Sequence, residues 1–144
     1  MDDLKCYFKK IHNQLESKFN KAYKGYGLTS TQFDILMYLS KESDKENTLT
    51  DIASHFGVKH TSVIHVIKLL EKKGFISKSE VQGTRTKPIL LTESGKRLIS
   101  GVKQNSPILD EIMFAGLSES DRQFLKKILR QIYTNLESDA FKNL

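Results

Sequence analysis

The strongest constraint on the fold lies in residues 50–66, TDIASHFGVKHTSVIHV. Two short helices that cross steeply need a small residue where their backbones touch, and Ala53 supplies it. The tight turn between them needs a residue at ease with positive φ, and Gly57 supplies that. The second helix must bury an apolar stripe, and Val63, Val66, Ile67 and Leu70 fall at i, i+3, i+4 and i+7. A small residue, a glycine four later and a valine six after that is the spacing of a helix-turn-helix. Each requirement alone is common, but the joint spacing is restrictive.

The flanking sequence fits helices around this unit. Leu4, Phe8, Ile11, Leu15, Phe19, Ala22 and Tyr26 recur at helical spacing, and Gly25-Tyr26-Gly27 ends the run. Thr29 and Gln32 form a capping box that opens a second helix burying Phe33, Leu36, Met37 and Tyr38. Residues 42–47 are a polar loop, and helices follow over 50–57 and 60–73, ended by Gly74. Residues 75–78 and 87–91 read as short strands around a polar tip, 80–86, with Pro88 confined to an edge or a strand start. Thr92 caps a helix carrying Leu98, Ile99 and Val102, interrupted at Ser106-Pro107, where Ser106 reads as a new N-cap. Ser118 caps the last helix, whose stripe is Leu125, Ile128, Leu129, Ile132, Tyr133 and Leu136. So small a body cannot cover both terminal stripes, so these helices pair with a second copy or, in a monomer, with each other.

Charge is concentrated where the motif lies. Residues 1–58 carry eight Lys/Arg against eight Asp/Glu, and residues 98–144 carry six against six. Residues 59–97 carry nine against three, which accounts for the whole net charge of +6. A basic segment between two neutral ones is the footprint of a polyanion-binding surface, or else a solvated lysine face. With 144 residues, 38% hydrophobic and 28% charged, the chain reads as one globular domain. No apolar run spans a bilayer and no secretory signal is evident, so a cytoplasmic protein is expected. The single cysteine, Cys6, cannot form an internal disulfide, and no metal site or cofactor is expected. No Gly-rich phosphate loop, nucleophile elbow, HExxH or Cys–His cluster is present, and His60 and His65 diverge on a helix, which argues against an enzyme.

In order along the chain, Gly27-Leu28-Thr29 with Gln32-Phe33, Leu70-Glu71-Lys72-Lys73-Gly74-Phe75-Ile76, Leu91-Thr92-Glu93-Ser94-Gly95 and Ala115-Gly116-Leu117-Ser118 resemble the MarR family of winged helix-turn-helix transcriptional regulators. The resemblance implies a mainly α fold with a small β-hairpin wing, built as a winged helix-turn-helix core plus long N- and C-terminal dimerisation helices. Within a single domain over 1–144, the DNA-binding lobe is expected at 28–92 and the helical dimerisation region at 1–27 and 93–144. It implies a homodimeric repressor that binds pseudo-palindromic promoter DNA, double-stranded, and is released by a small-molecule effector. Two alternatives stay open: a peroxide- or thiol-responsive regulator acting through Cys6, and a winged-helix protein-interaction module that does not bind DNA.

The candidate DNA surface follows from the inward stripe of the second motif helix. Lys59, His60, Thr61, Ser62, Ile64, His65 and Lys68 lie on opposite or flanking faces, with hydroxyl donors and a helix N-terminus for phosphate. Ile64 either touches a thymine methyl or packs against the wing or another helix. His65 stands where the family often has arginine, which implies weaker and pH-sensitive base reading. In the wing, Lys78 and Lys87 are expected at phosphates and Arg85 in a minor groove. The family's Asp-x-Arg tip reads Gly83-Thr84-Arg85 here, so the aspartate that orients the arginine is missing. His12, Tyr23 and Tyr38 either line a ligand cavity or pack. Cys6, beside Lys5, Lys9 and Lys10, is either a redox sensor like the lone cysteine of the family's peroxide-sensing branch or inert packing.

Overall fold

The computed structural model describes residues 3–42, 46–79, 87–104 and 106–142. In chain order these form α1 (Asp3–Tyr23), a 3₁₀ turn (Lys24–Tyr26), α2 (Ser30–Lys41), α3 (Leu49–Phe56) and α4 (His60–Lys72). There follow β1 (Ile76–Lys78), β2 (Ile89–Leu91), α5 (Glu93–Lys103), α6 (Ser106–Met113), α7 (Glu119–Leu136) and the short α8 (Asp139–Lys142). The mainly helical fold with one small hairpin is the class the sequence implies. The last turn-length helix, α8, has no sequence signature strong enough to anticipate it.

The chain divides into two compact units, Met1–Gln104 and Asn105–Leu144. Thus α1 and α5, expected apart from the lobe at 28–92, cluster with it. In the first unit α2 is the central helix, packed against α1, α4, α5 and β2. Contact on several sides widens its buried arc to Gln32, Phe33, Ile35, Leu36 and Leu39, while Met37 and Tyr38 are only half-buried. Ile52, Ile67, Leu70, Ile76, Ile99 and Val102 complete the centre of this core.

Local chemistry explains where the helices begin. At α2, the Gln32 N–H donates to the Thr29 hydroxyl at 3.2 Å, and the Thr29 N–H donates to Gln32 Oε1 at 3.1 Å. The same reciprocal box joins Thr48 and Asp51 at α3, which therefore starts at Leu49, and joins Ser118 and Asp121 at α7. At α6 the helix already includes Ser106, one residue earlier than its reading as an N-cap.

The end of α1 departs from the expected stripe. Ala22 is exposed and Tyr23 is 4% exposed, its ring stacked on Phe33 at 4.0 Å and on Phe19 at 5.8 Å. Toward the other end of α1, Leu4, Tyr7, Phe8 and Ile11 remain exposed.

The hairpin is antiparallel, with Ile76 opposite Leu91, Ser77 opposite Leu90 and Lys78 opposite Ile89. Beyond the strands, the Ser79 N–H donates to the Pro88 carbonyl at 2.8 Å, so Pro88 serves as an acceptor just ahead of β2. Helix α5 leaves the wing under tight restraint. The Thr92 N–H donates to the Phe75 carbonyl at 3.0 Å and the Thr92 hydroxyl donates to the Gly74 carbonyl at 2.6 Å. Gly95 lies against that same Phe75 carbonyl, leaving no room for a Cβ.

In the second unit, α7 presents Leu125, Ile128, Leu129, Tyr133 and Leu136 as a row with much of its surface exposed. Its residues line an open cleft of about 710 Å³ with Phe114, over whose ring the Arg122 guanidinium sits at 4.8 Å.

Candidate nucleic-acid interface

The turn between α3 and α4 is built as the spacing requires. Ala53 is buried, Gly57 adopts φ 63°, and the Val58 N–H returns to the Ala53 carbonyl at 3.0 Å. Lys59 occupies the N-cap of α4 and its side chain makes no cap hydrogen bond. The Ser62 N–H donates to the Lys59 carbonyl at 3.1 Å, and a helix N-terminus without a side-chain cap suits an anion.

Along α4 the helical repeat separates two faces. Val63, Ile67 and Leu70 are buried, whereas Val66, expected fully inward, is half-buried. His60, Thr61, Ser62, His65 and Lys68 are exposed, as is Lys59 before them. Thr61, His65 and Lys68 follow one another at i, i+4 and i+7, so they share a stripe along the solvent face.

Ile64 belongs to a different wall. It is half-buried and lines a cleft of about 250 Å³ with Thr48, Thr50, Lys78, Lys87 and Ile89. The packing alternative raised for this side chain thus has a concrete location, between α4 and the base of the wing. The cleft also brings Lys78 and Lys87 together with α4, and both lysines are exposed. Thr48 and Thr50 add hydroxyls that the sequence reading missed; the Thr48–Asp51 spacing was the available signal. Arg85, together with the rest of the wing tip at 80–86, lies outside the described residues.

Lys73, also in the basic stretch, is engaged away from this surface. Lys73 Nζ donates to the Gly27 carbonyl at 2.7 Å and to Gln32 Oε1 at 3.2 Å, tying the end of α4 to the start of α2.

The ligand-cavity candidates stand in separate surroundings. His12 is exposed on α1 with Nε2 3.6 Å from Glu16, Tyr23 lies in the aromatic stack described above, and Tyr38 donates its hydroxyl to Asn47 Oδ1 at 3.1 Å. His12 and Tyr23 are about 16 Å apart along α1 at helical rise. Cys6 is an exposed free thiol. Among the described residues, no group of three or more His, Cys, Asp or Glu could hold a metal ion, and no helix is long and apolar enough to cross a membrane.

A helix-turn-helix followed by a two-stranded hairpin, with the exposed face of the second helix beside the hairpin base, defines a winged-helix protein. A sequence profile described as transcriptional regulator SarA/Rot matches residues 17–102. The chain belongs to this family of transcriptional regulators. It is similar to the uncharacterised HTH-type transcriptional regulator YybA of Bacillus subtilis, with 25% identity over 141 residues, 96% of this chain and 92% of the relative. Among solved structures, the transcription regulator MarR from Oenococcus oeni shares 28% identity and a TM-score of 0.80, covering 92% of this chain and 99% of that one. The Staphylococcus aureus MepR–DNA complex shares 22% identity and a TM-score of 0.84, covering 93% and 96%. The fold is that of the MarR-type winged-helix regulators, and the chain is a regulator of transcription, not an enzyme.

Proposed function

We propose that the chain is a homodimeric, sequence-specific repressor in the cytoplasm, with α4 in a major groove and the wing against the flanking backbone. The observation that carries this reading is the placement of the basic stretch. Thr61, His65 and Lys68 form a solvent stripe on α4, and Lys78 and Lys87 meet that helix across one cleft at the wing base. Hydroxyl, imidazole and ammonium groups around an open helix N-terminus suit phosphate and base edges. The solved MepR complex with DNA supports the same reading by likeness of fold.

Dimerisation is supported by the apolar side chains left in solvent. Leu4, Tyr7, Phe8 and Ile11 on α1 and the Leu125–Leu136 row on α7 are large apolar side chains left in solvent, as at surfaces that take a partner. A two-fold dimer would present two copies of α4 to half-sites about 34 Å apart. Release from DNA by a small organic effector is part of the reading and rests on the family resemblance.

Selection of genomic double-stranded fragments by the purified protein, followed by salt titration of the best one, tests the proposal. Enrichment of a fragment with paired half-sites and a steep loss of affinity with salt is the expected result. Absence of enrichment at low salt would remove DNA as the partner and leave a protein-interaction module.

A further inference from the structure

Among the described residues only two polar side chains are buried, Gln32 and Asn47. Gln32 serves the α2 capping box, whereas Asn47 lies in the segment before α3. Burying an amide is unfavourable unless its hydrogen bonds are met. Here they are met from two directions: Asn47 Nδ2 donates to the Glu42 carbonyl at 3.0 Å, and Asn47 Oδ1 accepts from the Tyr38 hydroxyl at 3.1 Å. Tyr38 is itself held against α3, stacked on His55 at 4.3 Å with the Phe56 ring edge-on at 5.9 Å.

With its side chain fixed in this way, Asn47 offers its backbone carbonyl to the wing. The Ile89 N–H, turned away from β1, donates to it at 2.7 Å. Asn47 therefore acts as a one-residue third strand beside β2. Ile89 pairs with Lys78 across the hairpin, and Lys87 is two residues before it. The bond that seats Ile89 thus holds the residue that faces Lys78 across the hairpin and follows Lys87 by two positions.

We infer that Asn47, held by Tyr38, is a positioning residue that sets the aim of the wing relative to α4. The inference rests on the DNA-binding reading above. It assigns no DNA contact to Asn47 itself; the residue acts through Lys78 and Lys87.

The test compares Tyr38→Phe and Asn47→Ala, each alone and combined with Lys78→Ala/Lys87→Ala, in salt titrations against the best selected fragment. Amide hydrogen exchange of Ile89 is followed in parallel, with Ile67 and Leu70 of α4 as references. The expected result is a flatter salt dependence, by about 0.9 in the log–log slope for each phosphate that a lysine ceases to neutralise. That flattening should disappear when the two lysines are already alanine, because the effect passes through them. Ile89 should exchange faster while the α4 amides keep their protection. Unchanged slopes, additive effects, or undiminished Ile89 protection would overturn the inference. Should Asn47→Ala fail to fold, Tyr38→Phe removes only one hydroxyl and carries the test. If the wild-type protein selects no DNA, the functional reading falls, and Ile89 exchange alone decides whether Asn47 pins the wing.

Discussion

Gly95 and Gly101 lie on the same helix, α5, and alanine should act on them with opposite sign. In an exposed helix interior, Gly→Ala ordinarily stabilises by about 0.5–1 kcal/mol, since glycine loses more backbone freedom on folding. Gly101 has nothing within 4 Å of an added Cβ, so Gly101→Ala should show that gain. At Gly95 the Cβ would collide with the Phe75 carbonyl oxygen and crowd Leu91 Cδ2 at 3.2 Å. Relief requires moving either the oxygen or the first turn of α5, and both are tethered. Phe75 O already accepts the Thr92 N–H, and the Gly95 N–H donates to the Thr92 hydroxyl at 3.1 Å. Losing one such bond costs about 1 kcal/mol, and overpacking a tight contact costs about 1–3 kcal/mol. After the helix gain is subtracted, Gly95→Ala should destabilise by about 1–3.5 kcal/mol. Thermal or urea unfolding at fixed protein concentration measures this, with a thermal midpoint lowered by about 2–14 °C for Gly95→Ala. If Gly95→Ala matched or exceeded wild type while Gly101→Ala behaved as stated, the close approach of α5 to the wing base would be wrong.

Replacing Lys59 and Lys68 by alanine should reduce the salt slope of DNA binding by about 0.9 per phosphate contact, with an unchanged unfolding midpoint; an unchanged slope would take these lysines off the interface. Leu125→Glu/Leu129→Glu places charge in the apolar row of α7 and should shift the protein toward monomer in sedimentation, whereas a persistent dimer would locate the interface elsewhere. Asp34 retains exposed surface, yet burial of its carboxyl raises its pKa above the ordinary value. The folded state then holds that proton more tightly than the unfolded state, so ionisation costs stability above the folded pKa and costs none below the unfolded one. Asp34→Asn should therefore be more stable than wild type at neutral pH, with the gap closing as pH falls through that window; a pH-independent gap would refute burial as the cause.

The helix-turn-helix was legible because its demands fall on backbone and packing within a few residues. Ala53, Gly57 and Val63 could each be assigned from spacing alone, and Thr29–Gln32 and Ser118 announced their helix starts through side-chain chemistry. What escaped was set by distant neighbours. Ile35 and Leu39 are buried because α2 is covered on several sides, which a one-sided helical stripe does not anticipate. Tyr23 enters the core by stacking on Phe33, ten residues away in the chain. Ile64 looked out of place on a solvent face until the wing base supplied its wall. Asn47 sat in a stretch read as polar loop, and its partners Tyr38 and Ile89 are on two other elements.

The carbonyl of Asn47 has one more effect, on what happens when copies of the protein meet at high concentration. A two-stranded sheet invites further strands to add along its open side, a route to runaway association. Along β2 that side opens with Ile89, whose N–H is already taken by the Asn47 carbonyl. With strands only three residues long, little template is left for an incoming chain. The base of the hairpin, Ile76–Lys78 with Ile89–Leu91, thus offers little to edge-to-edge association.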